Sequence, residues 1–339
     1  MTVRVGFLGA GLIAHFHALG LHESAEDVAF AGVYDPDRSR AKEFATGWGA
    51  TLCTTEAEAF DECDAVYICT WTSEHDRLVD EACARRLPVF CEKPLAIDAP
   101  RASAMADAVE RAGVVNQVGL LLRYSPAFGF LRHLIRDPVA GRVMSLTFRN
   151  DQYIPVQGMY ASDWRGDRER AGAGTLLEHS IHDLDILEHA VGPLHSVSSR
   201  SANFHGLDGI EDSMATVFDL EGGGVGVHTS IWHDVLERPS LRRVEVFCER
   251  RHIVVENDWT GPVTWLTSGS QERRLEGAEL VAACRGADVP VGNPDGAFVR
   301  SVAAGSPASP TFRDAVRPHR LVDAMYRSAA TSGAPVVVA

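Results

Sequence analysis

Lysine is nearly missing from this chain: of 32 basic residues only Lys42 and Lys93 are lysines. A chemistry that needs a compact, titratable ammonium therefore falls on two positions, because a guanidinium cannot replace it. Positive charge is also in short supply. The formal net charge of −14 repels phosphate backbones, and no basic stripe interleaved with aromatics relieves it, which excludes nucleic acid as an expected partner. No apolar run reaches transmembrane length, so no membrane partner is expected. The first residues enter a strand at once, without the pattern of a signal peptide, and a cytoplasmic protein is expected. The seven cysteines, Cys53, Cys63, Cys69, Cys83, Cys91, Cys248 and Cys284, form no Cys-x-x-Cys pair. They read as reduced core residues, not as a disulfide framework or a zinc site. Low-complexity tracts and internal repeats are absent, and 339 residues suit two domains.

What the chain does have begins with its first strand. Residues 3–14 read Val-Arg-Val-Gly-Phe-Leu-Gly-Ala-Gly-Leu-Ile-Ala, an apolar run that meets two glycines and then helix-compatible residues. The pattern predicts strand, tight turn and helix. Gly9 allows the turn, Gly11 lets a pyrophosphate approach the backbone, and Ala14 lets the helix pack closely on the strand. The N–H groups at Leu12 and Ile13 then face the phosphates. A second apolar strand at 28–34 ends in Asp35, about where an acid accepts hydrogen bonds from the adenosine ribose. Its charge favours NAD over NADP, while Arg38, three residues on, keeps a 2′-phosphate open. A glycine turn and a strand-ending Asp also occur in α/β domains that hold no dinucleotide.

Strand and helix continue to alternate, which is the pattern of a doubly wound parallel sheet. Helices are expected at 37–47 and 73–86 and from an N-cap at Asp98 to Gly113, with strands at 50–53, 64–70, 88–91 and 114–122. Ligands of such sheets bind beyond the carboxyl ends of the strands. Thr70, Thr72, His75, Glu92, Lys93, Arg123 and Tyr124 all follow strand ends and are expected around one crevice. From about residue 124 the pattern changes. A helix at 126–136, a long strand at 143–154, a loop at 155–173 and a helix at about 176–190 precede strands at 195–204, 213–220, 225–233, 243–249 and 252–256. Glu221-Gly-Gly-Gly224 reads as a hairpin turn. Helices at 295–304 and 311–333 and a strand at 335–338 close the chain. Strands without intervening helices imply a largely antiparallel sheet in an α+β domain. Helices on one side would leave the other face for a partner subunit. The expected division is 1–123 and 124–339, and the expected assembly is a homodimer or homotetramer through the second sheet.

Two stretches carry candidate chemistry. Glu92-Lys93-Pro94 sits at a strand end, where a buried ammonium beside a nicotinamide would hydrogen-bond the reacting oxygen; the alternative is a surface ion pair. In the stretch 172–185, Glu178 and His182 are four apart and share a helix face if the helix has begun by 178, with Asp185 a turn further on. A carboxylate beside an imidazole suits removal of a hydroxyl proton. Alternatively this is a helix start with acids against its dipole and a satisfied histidine. A metal site of Glu178, His179 and His182 would lack any recognised ligand pattern, and no metal is expected. Trp164-Arg165 either lines a substrate pocket or is an aromatic anchor beside a solvated Arg. His15 and His17 receive no role.

Gly9-x-Gly11-x-x-Ala14, Asp35, Thr70-x-Thr72-x-x-His75, Glu92-Lys93-Pro94, Trp164-Arg165 and Gly174-x-x-x-Glu178-x-x-x-His182-x-x-Asp185, with residues 323–329 near the end, resemble the glucose-fructose oxidoreductase / inositol dehydrogenase / rhizopine catabolism family over essentially the whole chain. The resemblance implies a Rossmann N-terminal domain, an α+β C-terminal domain with a large, mostly antiparallel sheet, and NAD(P)-dependent oxidation or reduction of a sugar, inositol or related polyol. It makes Lys93 and His182 the catalytic pair, with Glu178 where the family often has Asp. Arg123, Tyr124, Trp164 and Arg165 would join them around the substrate. Ser180 stands where Gly is usual, and with Glu178 puts substrate identity in doubt more than reaction type. The rival readings are a cofactor-binding regulator without turnover and, more distantly, a metal-dependent hydrolase.

Overall fold

The computed structural model describes residues 2–338. Its described residues divide into two compact units, one running to Leu120 and resuming at Asn293–Arg317, the other Leu121–Gly292 with the described residues from Pro318 on.

The first unit alternates β1 (Val3–Leu8), α1 (Leu12–Glu23), β2 (Val28–Tyr34), α2 (Arg38–Trp48), β3 (Thr51–Leu52), α3 (Glu56–Asp61), β4 (Ala65–Ile68), α4 (His75–Ala84), β5 (Val89–Cys91), α5 (Ala99–Ala112) and β6 (Asn116–Val118). Its six strands are parallel in the order β3-β2-β1-β4-β5-β6. The order reverses between β1 and β4, which opens a crevice at their carboxyl ends. Local chemistry sets the helix limits. Asp37, Thr55 and Asp98 cap α2, α3 and α5 through their side chains, and α2 and α5 stop at left-handed Gly49 and Gly113. The last strand is shorter than the expected 114–122. Gln117 is fully buried and donates to the Pro294 carbonyl, Val118 N–H goes to Pro310 O, and the chain then turns through a 3₁₀ segment at Leu121–Tyr124.

In the second unit come α6 (Pro126–Arg136), β7 (Val143–Tyr153), α7 (Arg168–Ala171), α8 (Thr175–Glu178), α9 (Ile181–Ala190), β8 (Leu194–Ala202), β9 (Ser213–Leu220), β10 (Val225–His233), β11 (Leu241–Cys248), β12 (Arg251–Glu256), β13 (Val263–Thr267), β14 (Arg273–Leu275) and α10 (Gly277–Gly286). Next follow α11 (Pro294–Ala304), which belongs to the first unit, α12 (Phe312–Ala330) and β15 (Val336–Val337). The nine strands run β14-β13-β12-β11-β7-β10-β9-β8-β15, antiparallel except for the β10–β7 pair. Burial alternates along β9 and β10, so one face is covered and the other open. The contiguous division at 123/124 differs from the observed units in residues 121–123 and 293–317. Phe298 of α11 packs edge-on against Tyr67 and Phe90, completing the first unit's aromatic core. That pairing depends on contacts distant in sequence, which no local pattern announces.

Candidate functional site

The first turn has the form a bound pyrophosphate requires. Gly9 has φ +90°, and a Cβ there would meet Cys69 O at 2.5 Å. Gly11 precedes α1 without a side-chain cap, and a Cβ there would meet nothing within 4 Å, so Leu12 and Ile13 open the helix beside free space. Asp35 is tied to this turn: Oδ2 accepts from Ala10 N–H at 2.7 Å and Oδ1 from Asp37 N–H at 2.8 Å. A carboxylate offers about four acceptor positions, so two remain for ribose hydroxyls. This donor set and cradle fit a dinucleotide. Arg38 is exposed at the start of α2.

Thr70, Thr72, His75, Glu92 and Lys93 are brought together at the ends of β4 and β5. The His75 ring is buried; its Nδ1 lies 3.0 Å from Pro94 O and 3.3 Å from Leu95 O, and its Nε2 3.3 Å from Thr70 O. Burial lowers its pKa, and the neutral ring donates from one nitrogen only. His75 thus grips the backbone that follows Lys93. Thr72 Oγ1 is buried with no hydrogen-bond partner among the described residues. Glu92 is 5% exposed, and its Oε1 lies 3.0 Å from Nε2 of His17, whose Nδ1 lies 2.7 Å from Asp295 Oδ1. The sequence reading gave His17 no role. A usable signal was present, because Ala14, His17, Ala18 and Leu21 follow helical spacing and form the buried stripe of α1.

In the second unit the segment 172–190 is not one helix. α8 ends at Glu178, α9 starts at Ile181, and Ser180 between them donates its backbone N–H to Thr175 O. The expectation that Glu178 and His182 share a continuous helix face is corrected accordingly. Side chains make the break: the Ser180 hydroxyl donates to Ser230 Oγ at 2.6 Å and accepts from Asn150 at 3.1 Å, which hooks the chain onto β10 and β7. Glu178 is buried and accepts from Arg165 Nε at 2.7 Å. The Arg165 guanidinium lies 4.7 Å over the Trp164 ring, which packs against Ile154, Ala171, Ile210 and Trp232. Trp164 thus packs on that cluster, and its Arg neighbour is engaged, not solvated. His182 is half-buried in the first turn of α9.

Below that helix lies a polar network that sequence reasoning missed. Asp183, fully buried, accepts from Arg242 Nε at 2.5 Å and from Asn150 at 2.8 Å, with His228 Nε2 3.2 Å away. Burial raises the Asp183 pKa, but Arg242 and then His228 outweigh it and hold the carboxyl well below its usual range. Arg242 also donates to Asp258 and lies 3.2 Å from His179 Nε2. Asp185 holds Arg123 through both oxygens, at 2.7 and 2.9 Å, and Tyr124 is half-buried beside it in sequence. Arg123 and Tyr124 thus fall in the second unit. Glu211 accepts from Gly174 and Leu176 N–H and from Tyr326 OH, which pins the start of α8. Among the described residues no group of three or more His, Cys, Asp or Glu side chains is placed to hold a metal ion.

Comparison with known proteins agrees with these features. Residues 3–120 match the model of an oxidoreductase family with an NAD-binding Rossmann fold, GFO_IDH_MocA, and residues 128–254 match the GFO/IDH/MocA C-terminal domain. The chain is similar to inositol 2-dehydrogenase of Rhizobium meliloti, 27% identical over 97% of this chain and 98% of that one. It is also similar to myo-inositol dehydrogenase Hyg17 of Streptomyces leeuwenhoekii, 28% identical over 99% of both. Levoglucosan dehydrogenase in complex with NADH shares the fold, with TM-score 0.85, 20% identity and all of both chains covered. Two domain models in tandem, spanning most of the chain over a parallel sheet and a mixed nine-stranded sheet, place this protein in the GFO/IDH/MocA family of NAD-binding oxidoreductases.

Proposed function

We propose that the chain is an NAD-linked dehydrogenase or reductase acting on a secondary hydroxyl or ketone of a sugar, inositol or related polyol. The observation that carries the cofactor reading is the Asp35 carboxylate tied to the glycine turn. Its charge disfavours a 2′-phosphate and its spare acceptor positions suit ribose hydroxyls. The substrate class rests on the inositol dehydrogenases that the chain resembles along its length. The nicotinamide, when bound, supplies the hydride chemistry. In the oxidation direction the His182 imidazole accepts the hydroxyl proton as hydride leaves the same carbon. Lys93 ammonium stabilises the reacting oxygen, and Glu178, braced by Arg165, orients the imidazole or a neighbouring substrate hydroxyl.

The protein is further proposed to be a cytoplasmic homo-oligomer built on the open sheet face. Along that face one cross-strand row reads Leu266, His252, Phe247, Ser145, Val225, and the next places Val227 opposite Val217. Val217, Val225, Val227, Phe247 and Leu266 are all at least 38% exposed, and a second copy would cover them. No helix among the described residues is long and apolar enough to cross a membrane.

The test is absorbance of the reduced nicotinamide while the chain and NAD, with NADP in parallel, are offered inositols, aldoses and sugar acids, and NADH is offered the matching ketones. Turnover with NAD on one of these and its loss by about 100-fold or more in Lys93→Met are expected. Silence in both directions, with NADH still bound, would favour the regulator.

A further inference from the structure

We propose that His17 is a positioning residue for Lys93: clasped between Asp295 and Glu92, it fixes from inside the first unit the turn on which Lys93 stands. This rests on the reading of Lys93 given above. The chain of contacts is continuous. Asp295 near the start of α11 meets Nδ1 of His17 at 2.7 Å, Nε2 meets Glu92 Oε1 at 3.0 Å, and Glu92 Oε2 accepts from the Lys93 backbone N–H at 3.2 Å. The side chains of His17, Glu92 and Asp295 are at most 7% exposed. The space is shaped for it: a Cβ on Gly119 would meet Glu92 Oε1 at 2.1 Å, and one on Gly20 would meet Asp295 Oδ2 at 2.4 Å. The imidazole is wedged against Phe90 and Tyr67, with ring centroids 4.7 and 5.4 Å away.

Two carboxylates at the two ring nitrogens call for two N–H donors, which is the imidazolium form. Burial pulls the His17 pKa down, but Asp295 and then Glu92 more than offset it and push it up to about 10. On the other side of Lys93 the His75 ring holds the Pro94 and Leu95 carbonyls. The turn is thus held before and after Lys93.

The near absence of lysine supplies the probe. Reductive methylation of the full chain with ¹³C-formaldehyde labels Lys42, Lys93 and the chain terminus, and Lys93→Met assigns the Lys93 signal. In His17→Gln and Asp295→Asn, each still folded by cooperative thermal melting, the Lys93 methyl resonance is expected to move beyond its line width while that of Lys42 stays in place. With the substrate found above, kcat is expected to fall about tenfold or more with NADH affinity preserved. Unmoved Lys93 resonances in folded variants would overturn the proposal, as would loss of the fold in both variants, which would assign the triad to stability alone. Full turnover in Lys93→Met would instead remove the reading of Lys93, whatever the resonances do.

Discussion

The His17 imidazole carries its own pH signature. Its folded pKa of about 10 lies above the unfolded value of 6.5, so the folded chain holds the extra proton between these limits. The stabilisation is complete below pH 6.5 and is lost as pH rises through about 10. Urea unfolding of the parent is expected to lose on the order of 2–4 kcal/mol from this group between pH 6 and pH 10. His17→Gln should lack that part of the slope; a variant with the parent's slope would refute the assignment. Other single residues act through geometry. Gly9 has no substitute, because its positive φ and the Cys69 carbonyl leave no place for a Cβ.

Within elements, the break between α8 and α9 leaves Glu178 on one helix and puts His182 and Asp183 together on the next. Glu178 ends one helix and His182 opens the next, while Asp183, its neighbour, points into the covered side of the sheet toward Arg242, His228 and Asn150. A carboxylate buried there stabilises only while its partners remain. Asp183→Ala leaves the Arg242 guanidinium buried with Asp258 as its remaining carboxylate, and a loss of about 3–5 kcal/mol is expected in urea unfolding. A change under 1 kcal/mol would mean that Asp258 alone suffices. Glu211 contributes differently, by satisfying the N–H groups of Gly174 and Leu176 that α8 cannot pair within itself.

For the whole molecule, the open sheet face sets the expected assembly. Val227 lies opposite Val217 in its centre, and a carboxylate there would be desolvated in any interface between copies. Val227→Glu is expected to lower the mass measured by light scattering toward that of one chain, with the melting of the monomer retained. A parent that is itself monomeric would remove the proposed assembly. The division into units is also a whole-molecule matter. Residues 293–317 return to the first unit, where Asp295 meets His17, Asn293 Nδ2 donates to Gly20 O and Phe298 fills the aromatic core.

Sequence alone determined what depends on near neighbours along the chain. The glycine turn, the alternation that makes a parallel sheet, the period-two strands of the second sheet and the Asp98 cap all lie within a few residues of the atoms they organise, and Asp35 was legible as the end of an apolar strand although it reaches Ala10 across 25 positions. Short or weakly patterned pieces escaped it: α3, β13, β14 and α10 have too little periodicity to stand out. Only the tertiary structure decided which polar side chains meet. His17 with Asp295 is a pairing across 278 positions, Arg242 with Asp183 across 59, and the interruption at Ser180 comes from Ser230 across 50. A buried charge must find its partner in space, because unpaired it is expelled. That requirement is met by the packing of distant segments and leaves no local trace in the order of the residues.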